Sequence, residues 1–110
     1  MSETEFDLWL EFEHWEWEES HDPEDDAFNM QIRLANGETY ALNVWTFKLF
    51  SRLRERDRES GQSLSGKYMV APDLFVERLD RNLVTEVVRE LISEHGLKTE
   101  WLVIETEEDL

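Results

Sequence analysis

Ser20, His21 and Asp22 are the residue types of a hydrolase triad, set side by side. A serine nucleophile needs its histidine base and the orienting carboxylate to converge from separate segments. Three consecutive residues cannot take that geometry, so the trio does not read as a catalytic site. His14, His21, Asp22, Glu24, Asp25 and Asp26 are, by type, ligands for a divalent cation. Hard cations favour carboxylate oxygens but need a fixed cage, and Asp25-Asp26 lacks the alternation and central glycine of a calcium loop. We expect no functional metal site, with His14 and His95 serving structurally. Carboxylate pairs abound, and that abundance removes their value, because a catalytic carboxylate must be displaced in pKa by burial or a partner. No G-x-S-x-G elbow, phosphate-binding loop or dinucleotide fingerprint occurs. The reading is no catalytic residue, no cofactor and no enzyme.

One group has a pattern suited to binding. Trp9, Trp15 and Trp17 stand among Glu11, Glu13, Glu16 and Glu18, and the odd positions from Trp9 to Trp17 read Trp, Glu, Glu, Trp, Trp. Tryptophan is enriched at interface hot spots. Acidic groups around it complement a basic partner and speed encounter. Trp9, Glu11, Glu13, Trp15, Trp17 and Glu18 are therefore the candidate protein-binding residues. The alternative is that the indoles pack under the acidic loop or the C-terminal tail. Arg52, Arg54, Arg56 and Arg58 could touch phosphate, but Glu55, Asp57 and Glu59 are interleaved with them. Pairing of these arginines with the acidic N-terminal element is the better expectation.

Charge bounds the partner. The net charge is −16, and residues 1–26 hold twelve acids and no Lys or Arg. Such a chain repels DNA, RNA and anionic membranes at long range. A basic protein is the expected partner, with no nucleic acid and no membrane. A surface tuned only for solubility, as in a high-salt cytoplasm, is the competing account; Arg outnumbers Lys eight to three, which fits it. Cysteine is absent, which suits a reducing compartment, and we expect the cytoplasm. The N-terminus lacks the basic residues of a signal peptide. No apolar run approaches the ~20 residues of a membrane span.

The elements that must position these residues centre on Phe28–Leu53. Phe28, Met30, Ile32 and Leu34 alternate with polar residues, the pattern of a strand with one buried face. Asn36-Gly37 marks a hairpin. A two-residue loop would put Tyr40 and Leu42 beside Arg33 and Gln31. A three-residue loop over Ala35, Asn36 and Gly37 pairs Ile32 with Tyr40 and Met30 with Leu42, keeping the large apolar residues on one face. Because a one-residue slip inverts a whole strand, the three-residue form is predicted, with Gly37 left-handed. Asn43 reads as the N-cap of a first helix, with a Leu42–Phe47 staple, an apolar stripe including Val44 and Trp45, and an end at Ser60-Gly61.

Residues 5–17 read as a strand, with a bulge near Glu13-His14 or a helix as the alternative. An acidic loop at 18–26 follows, and residues 60–66 form a flexible loop. Lys67–Ala71 reads as a short strand, broken by Pro72 and resumed at Leu74–Val76. Leu83, Val84, Val87, Val88, Leu91 and Ile92 make a wide helical stripe. That helix is capped by Asp80 or Asn82 and closed by a left-handed Gly96 with a Leu97–Ile92 contact. Trp101–Ile104 reads as a last strand and residues 105–110 as a frayed acidic tail. At 110 residues the chain is one domain by expectation. The order β-β-β-α-β-α-β predicts an α+β two-layer sandwich. Its mostly antiparallel sheet would have about five strands, with two helices on one face. The function expected is a non-enzymatic acidic protein-binding module, such as a stoichiometric inhibitor or immunity-type protein against a basic, nucleic-acid-acting partner. A self-associating structural subunit, a homodimer for instance, is the alternative.

Overall fold

The structure, a computed structural model, describes residues 6–104; Glu5 and the tail 105–110 lie outside them. The fold is α+β. Four strands, β1 (Phe6–Leu10), β2 (Ala27–Leu34), β3 (Thr39–Thr46) and β4 (Leu74–Val76), form one sheet in the order β1-β2-β3-β4. The first three pair antiparallel, and β4 runs parallel to β3. Two helices, α1 (Phe47–Ser60) and α2 (Arg81–Glu90), complete it.

Alternation decides the register. Phe28, Met30 and Ile32 of β2 are buried and lie opposite Val44, Leu42 and Tyr40 of β3. The loop has three residues: Leu34 N–H donates to the Glu38 carbonyl at 2.8 Å, and Gly37 N–H donates back to Leu34 at 2.9 Å. Gly37 has φ +93°, with open space where a Cβ would sit. Gly37→Ala is therefore expected to cost about 1 kcal/mol from backbone strain alone. A thermal melt reads it, and an unchanged melting temperature would contradict the left-handed assignment.

Several boundaries differ from the sequence reading. Asn43, Val44 and Trp45 belong to β3, not to the first helix. β2 is eight residues long, and β3 matches that length before it turns. The N-cap is Thr46, whose fully buried Oγ1 accepts from Leu49 N–H at 3.2 Å and from Asp26 N–H at 3.1 Å. Capping and loop anchoring thus share one hydroxyl. β1 covers only the start of the first predicted strand, since Glu11–His14 winds into a 3-10 turn that drops Phe12 into the core. Residues 67–71 form no strand; Tyr68 and Val70 are exposed. Residues 62–66 form a one-turn segment in which Ser63, Leu64 and Ser65 are left-handed.

The final predicted strand is a 3-10 turn, Thr99–Trp101, and a single bridge from Leu102 to Tyr40. Val103 N–H donates to the Thr39 carbonyl at 2.8 Å, yet Val103 and Ile104 stay exposed. The outer edge of β3 is thus covered in two pieces. Leu102–Val103 takes Thr39 and Tyr40, and β4 takes Val44 to Thr46. Asp73 bridges toward the gap: its N–H donates to the Asn43 carbonyl, and its carboxylate accepts from Asn43 N–H. Four strands and a short bridge stand where five strands were expected.

The inner face carries the core. Val84 and Val88 of α2 are fully buried against Met30, Ile32 and Val44, as the apolar stripe requires. Asp80 caps α2 by accepting from Asn82 N–H. The far end closes differently from the expected motif. Leu91–His95 makes a π turn, Gly96 N–H donates to Leu91, and Gly96 combines φ +77° with an extended ψ of 158°. Both helices were expected on one face of the sheet, and α2 covers the inner one. α1 is drawn to the other side by aromatic packing. Trp45 and Phe75 share the outer face, where Phe47 stacks on Phe75 with centroids 5.6 Å apart and Phe50 meets it edge-on at 5.5 Å. No helix among the described residues is long and apolar enough to cross a membrane.

Candidate binding face

The 3-10 turn after β1 divides the six candidate residues. Trp9 alternates with the inward Leu8 and Leu10, so it lies on the outer face, stacked on His14 with centroids 5.3 Å apart. Glu11 is drawn to the start of β2, accepting from Asn29 N–H at 2.8 Å and from Asn29 Nδ2 at 3.2 Å. Glu13 accepts two hydrogen bonds from Arg81, at 2.7 and 2.9 Å. Arg81 also donates to the Leu8 carbonyl at 2.9 Å, fastening β1 to the start of α2. Glu11 and Glu13 are therefore internal ties and do not form one surface with the indoles.

Trp15, Trp17 and Glu18 do come together. Phe12, buried at the edge of the core, meets Trp17 edge-on at 6.3 Å. The Trp17 indole N–H donates to the Phe12 carbonyl at 2.9 Å. His21 slots against both indoles, its centroid 4.0 Å from that of Trp17 and 5.8 Å from that of Trp15. His21 Nε2 lies 2.8 Å from Asp26 Oδ2, which holds the ring in place. Trp17 nevertheless stays 41% exposed, and Trp15 is half-buried. Glu16, Glu18 and Glu19 are exposed beside them, with no ion pair among the described residues. No family model, curated protein or solved structure matches the chain.

The acidic loop beneath this cluster is held on several sides. Lys48 donates to Asp22 at 2.7 Å, and Arg52 Nε donates to both Asp25 oxygens at 2.8 and 3.0 Å. Leu79 N–H donates to the Pro23 carbonyl and Thr46 N–H to the Asp26 carbonyl. Lys48 and Arg52 thus meet the acidic loop, while Arg54 and Arg58 turn to Gly66 and Glu55. Among the described residues no three His, Asp or Glu side chains converge in a way that could hold a metal ion. The histidine of the Ser20-His21-Asp22 trio is committed to Asp26, and Asp22 to Lys48.

Charge pairing moves two carboxyls. The Arg81 hydrogen bonds hold Glu13 below its ordinary pKa, and the Lys48 hydrogen bond does the same for Asp22. A folded-state pKa below the unfolded one stabilises the fold above the ordinary carboxylate range. The contribution is lost as pH falls through the lowered value. Glu13→Gln is expected to lower stability slightly at neutral pH and to flatten the acid side of the stability profile. An acid-unfolding curve with the wild-type slope would count against this pair.

Two of the cluster's members were missed as such in the sequence. His21 and Asp26 look like metal ligands there, and only the fold shows them clamping an indole. Their signal was faint: a histidine four residues past Trp17.

Proposed function

We propose that the chain is a non-enzymatic binding module whose acidic aromatic face, centred on Trp17, docks a basic protein segment. One observation carries the reading: Trp17 is fixed yet exposed. Its N–H is satisfied by Phe12, its ring is braced by His21, and a large apolar surface still faces solvent. An anchor ordered before contact loses little entropy on binding. Glu16, Glu18 and Glu19 supply complementary charge and steering. Of the six residues read from the sequence, the face keeps Trp15, Trp17 and Glu18, and adds Glu16 and Glu19. A stoichiometric inhibitor of a nucleic-acid-acting protein, working in the cytoplasm, has these requirements, since its target presents a basic surface shaped for phosphate.

The test begins with the immobilised chain and a host extract, and continues as binding kinetics on the basic protein retained. Added salt, and the triple reversal Glu16→Lys, Glu18→Lys, Glu19→Lys, should slow association. Trp17→Ala should leave the on-rate nearly unchanged and raise the off-rate about tenfold or more. Salt should also raise the melting temperature of the free protein by screening its self-repulsion. Retention of no basic protein, or an off-rate indifferent to Trp17→Ala, refutes the reading; a salt-raised melting temperature alone is what a solubility-tuned surface predicts.

A further inference from the structure

The end of α1 and the segment returning from it have no part in the face described above. Past Leu53, α1 buries only Asp57. The return packs on this end: Arg54 Nε donates to the Gly66 carbonyl at 3.3 Å, and Gly66 is buried against the helix backbone. Together they make an arm. Within it Ser63, Leu64 and Ser65 hold φ of 54°, 54° and 61°. L-residues adopt that conformation only at a cost, and such strain gathers at functional segments. The side chain presented at its centre is Leu64, 69% exposed; Tyr68 and Val70 follow at 57% and 81%. Large apolar groups left in solvent beside basic Arg54 and Lys67 have the composition of an interaction surface.

We propose that this arm docks on the acidic aromatic face of a second copy of the chain. Charge selects the occupant. The arm itself, residues 54–71, holds four Lys or Arg against three Asp or Glu, in a chain of net charge −16. The complementary surface, acids around an exposed anchor, is the one built from Trp17, Glu16, Glu18 and Glu19. Leu64 and Tyr68 would cover Trp17, with Arg54 and Lys67 among the carboxylates. The contact joins two different surfaces, arm to face. It closes as a reciprocal pair or continues head to tail. It also occupies the face proposed for the basic partner, on which this inference rests, so self-assembly and partner binding exclude each other.

Sedimentation velocity over a rising concentration series tests it with two variants. Leu64→Ser with Val70→Ser strips the arm, and Trp17→Ala with Glu18→Lys strips the face. The wild-type chain is expected to gain mass reversibly. Each variant alone is expected to weaken assembly at least about tenfold. An equimolar mixture of the two should form a one-to-one complex, because each keeps the half the other lacks. A wild-type chain that stays monomeric to millimolar concentration overturns the proposal. So does assembly that persists in the arm variant, or a mixture that does not associate. Poly-L-arginine, followed by tryptophan fluorescence, separates the two levels. If the arm variant binds it like wild type while the chain never self-associates, only the arm inference falls. If the face variant also binds it like wild type, the reading of the face falls too.

Discussion

Trp101→Ala is expected to cost about 3–5 kcal/mol, the range for deleting a buried tryptophan. Trp101 lies in the 3-10 turn Thr99–Trp101 and is buried with Tyr40 and Leu42 on the inner face of the sheet. Lys98 Nζ sits 5.5 Å from its ring centroid. The turn is itself moored by the Val103–Thr39 hydrogen bond, so the cavity left by the indole cannot collapse freely. Domains of this size are stable by only about 5–15 kcal/mol, so the loss takes about a fifth or more of a modest total. The urea midpoint should fall with little change in slope. A shift worth less than about 1 kcal/mol would mean that the C-terminal segment is not part of the core.

Gly66→Ala should come next, at about 2–4 kcal/mol, by two additive causes. Gly66 has φ +78°, and an added Cβ would lie 3.0 Å from the Arg54 carbonyl oxygen and 3.2 Å from the Arg58 nitrogen. Both neighbours are helix backbone and cannot swing aside. Gly37→Ala is the internal control, with a similar φ but open space around it. The difference between the two variants isolates the crowding. If the arm detaches before the sheet does, amides near Arg58 lose exchange protection while those of β2 and β3 keep theirs. Equal losses for the two variants would show that the arm does not pack on α1 as described.

Much of the sheet was legible because burial leaves a period in the chain. In β2 and β3 that period fixes the faces, the register and the loop length together, since only one register puts Met30, Ile32, Tyr40 and Leu42 side by side. The stripe of α2 is legible for the same reason. The start of α1 was not. Asn43 and Thr46 are both good caps, and Val44, Trp45, Phe47 and Leu49 fit an end of strand as well as a helical stripe. The eight-residue partner strand decides between them, and that is a tertiary fact. The left-handed turn at Ser63–Ser65 leaves no local mark beyond the glycines flanking it. At the candidate face the indoles were visible as types. Their division was not, because it follows from Glu13 meeting Arg81, 68 positions away.

The two-piece cover on β3 bears on aggregation. An open sheet edge invites another strand when it offers several unpaired backbone groups in a row. On β3 the Leu102–Val103 bridge and the Asp73–β4 segment leave only Ala41 between them, because the alternation that points Thr39 and Asn43 outward points Ala41 outward too. One amide and one carbonyl are too few to seed a ladder. At β1 an arginine side chain already occupies the Leu8 carbonyl, where an incoming strand would bond. The sheet thus resists fibril-type growth at these edges by how its backbone groups are used up, independently of its net charge.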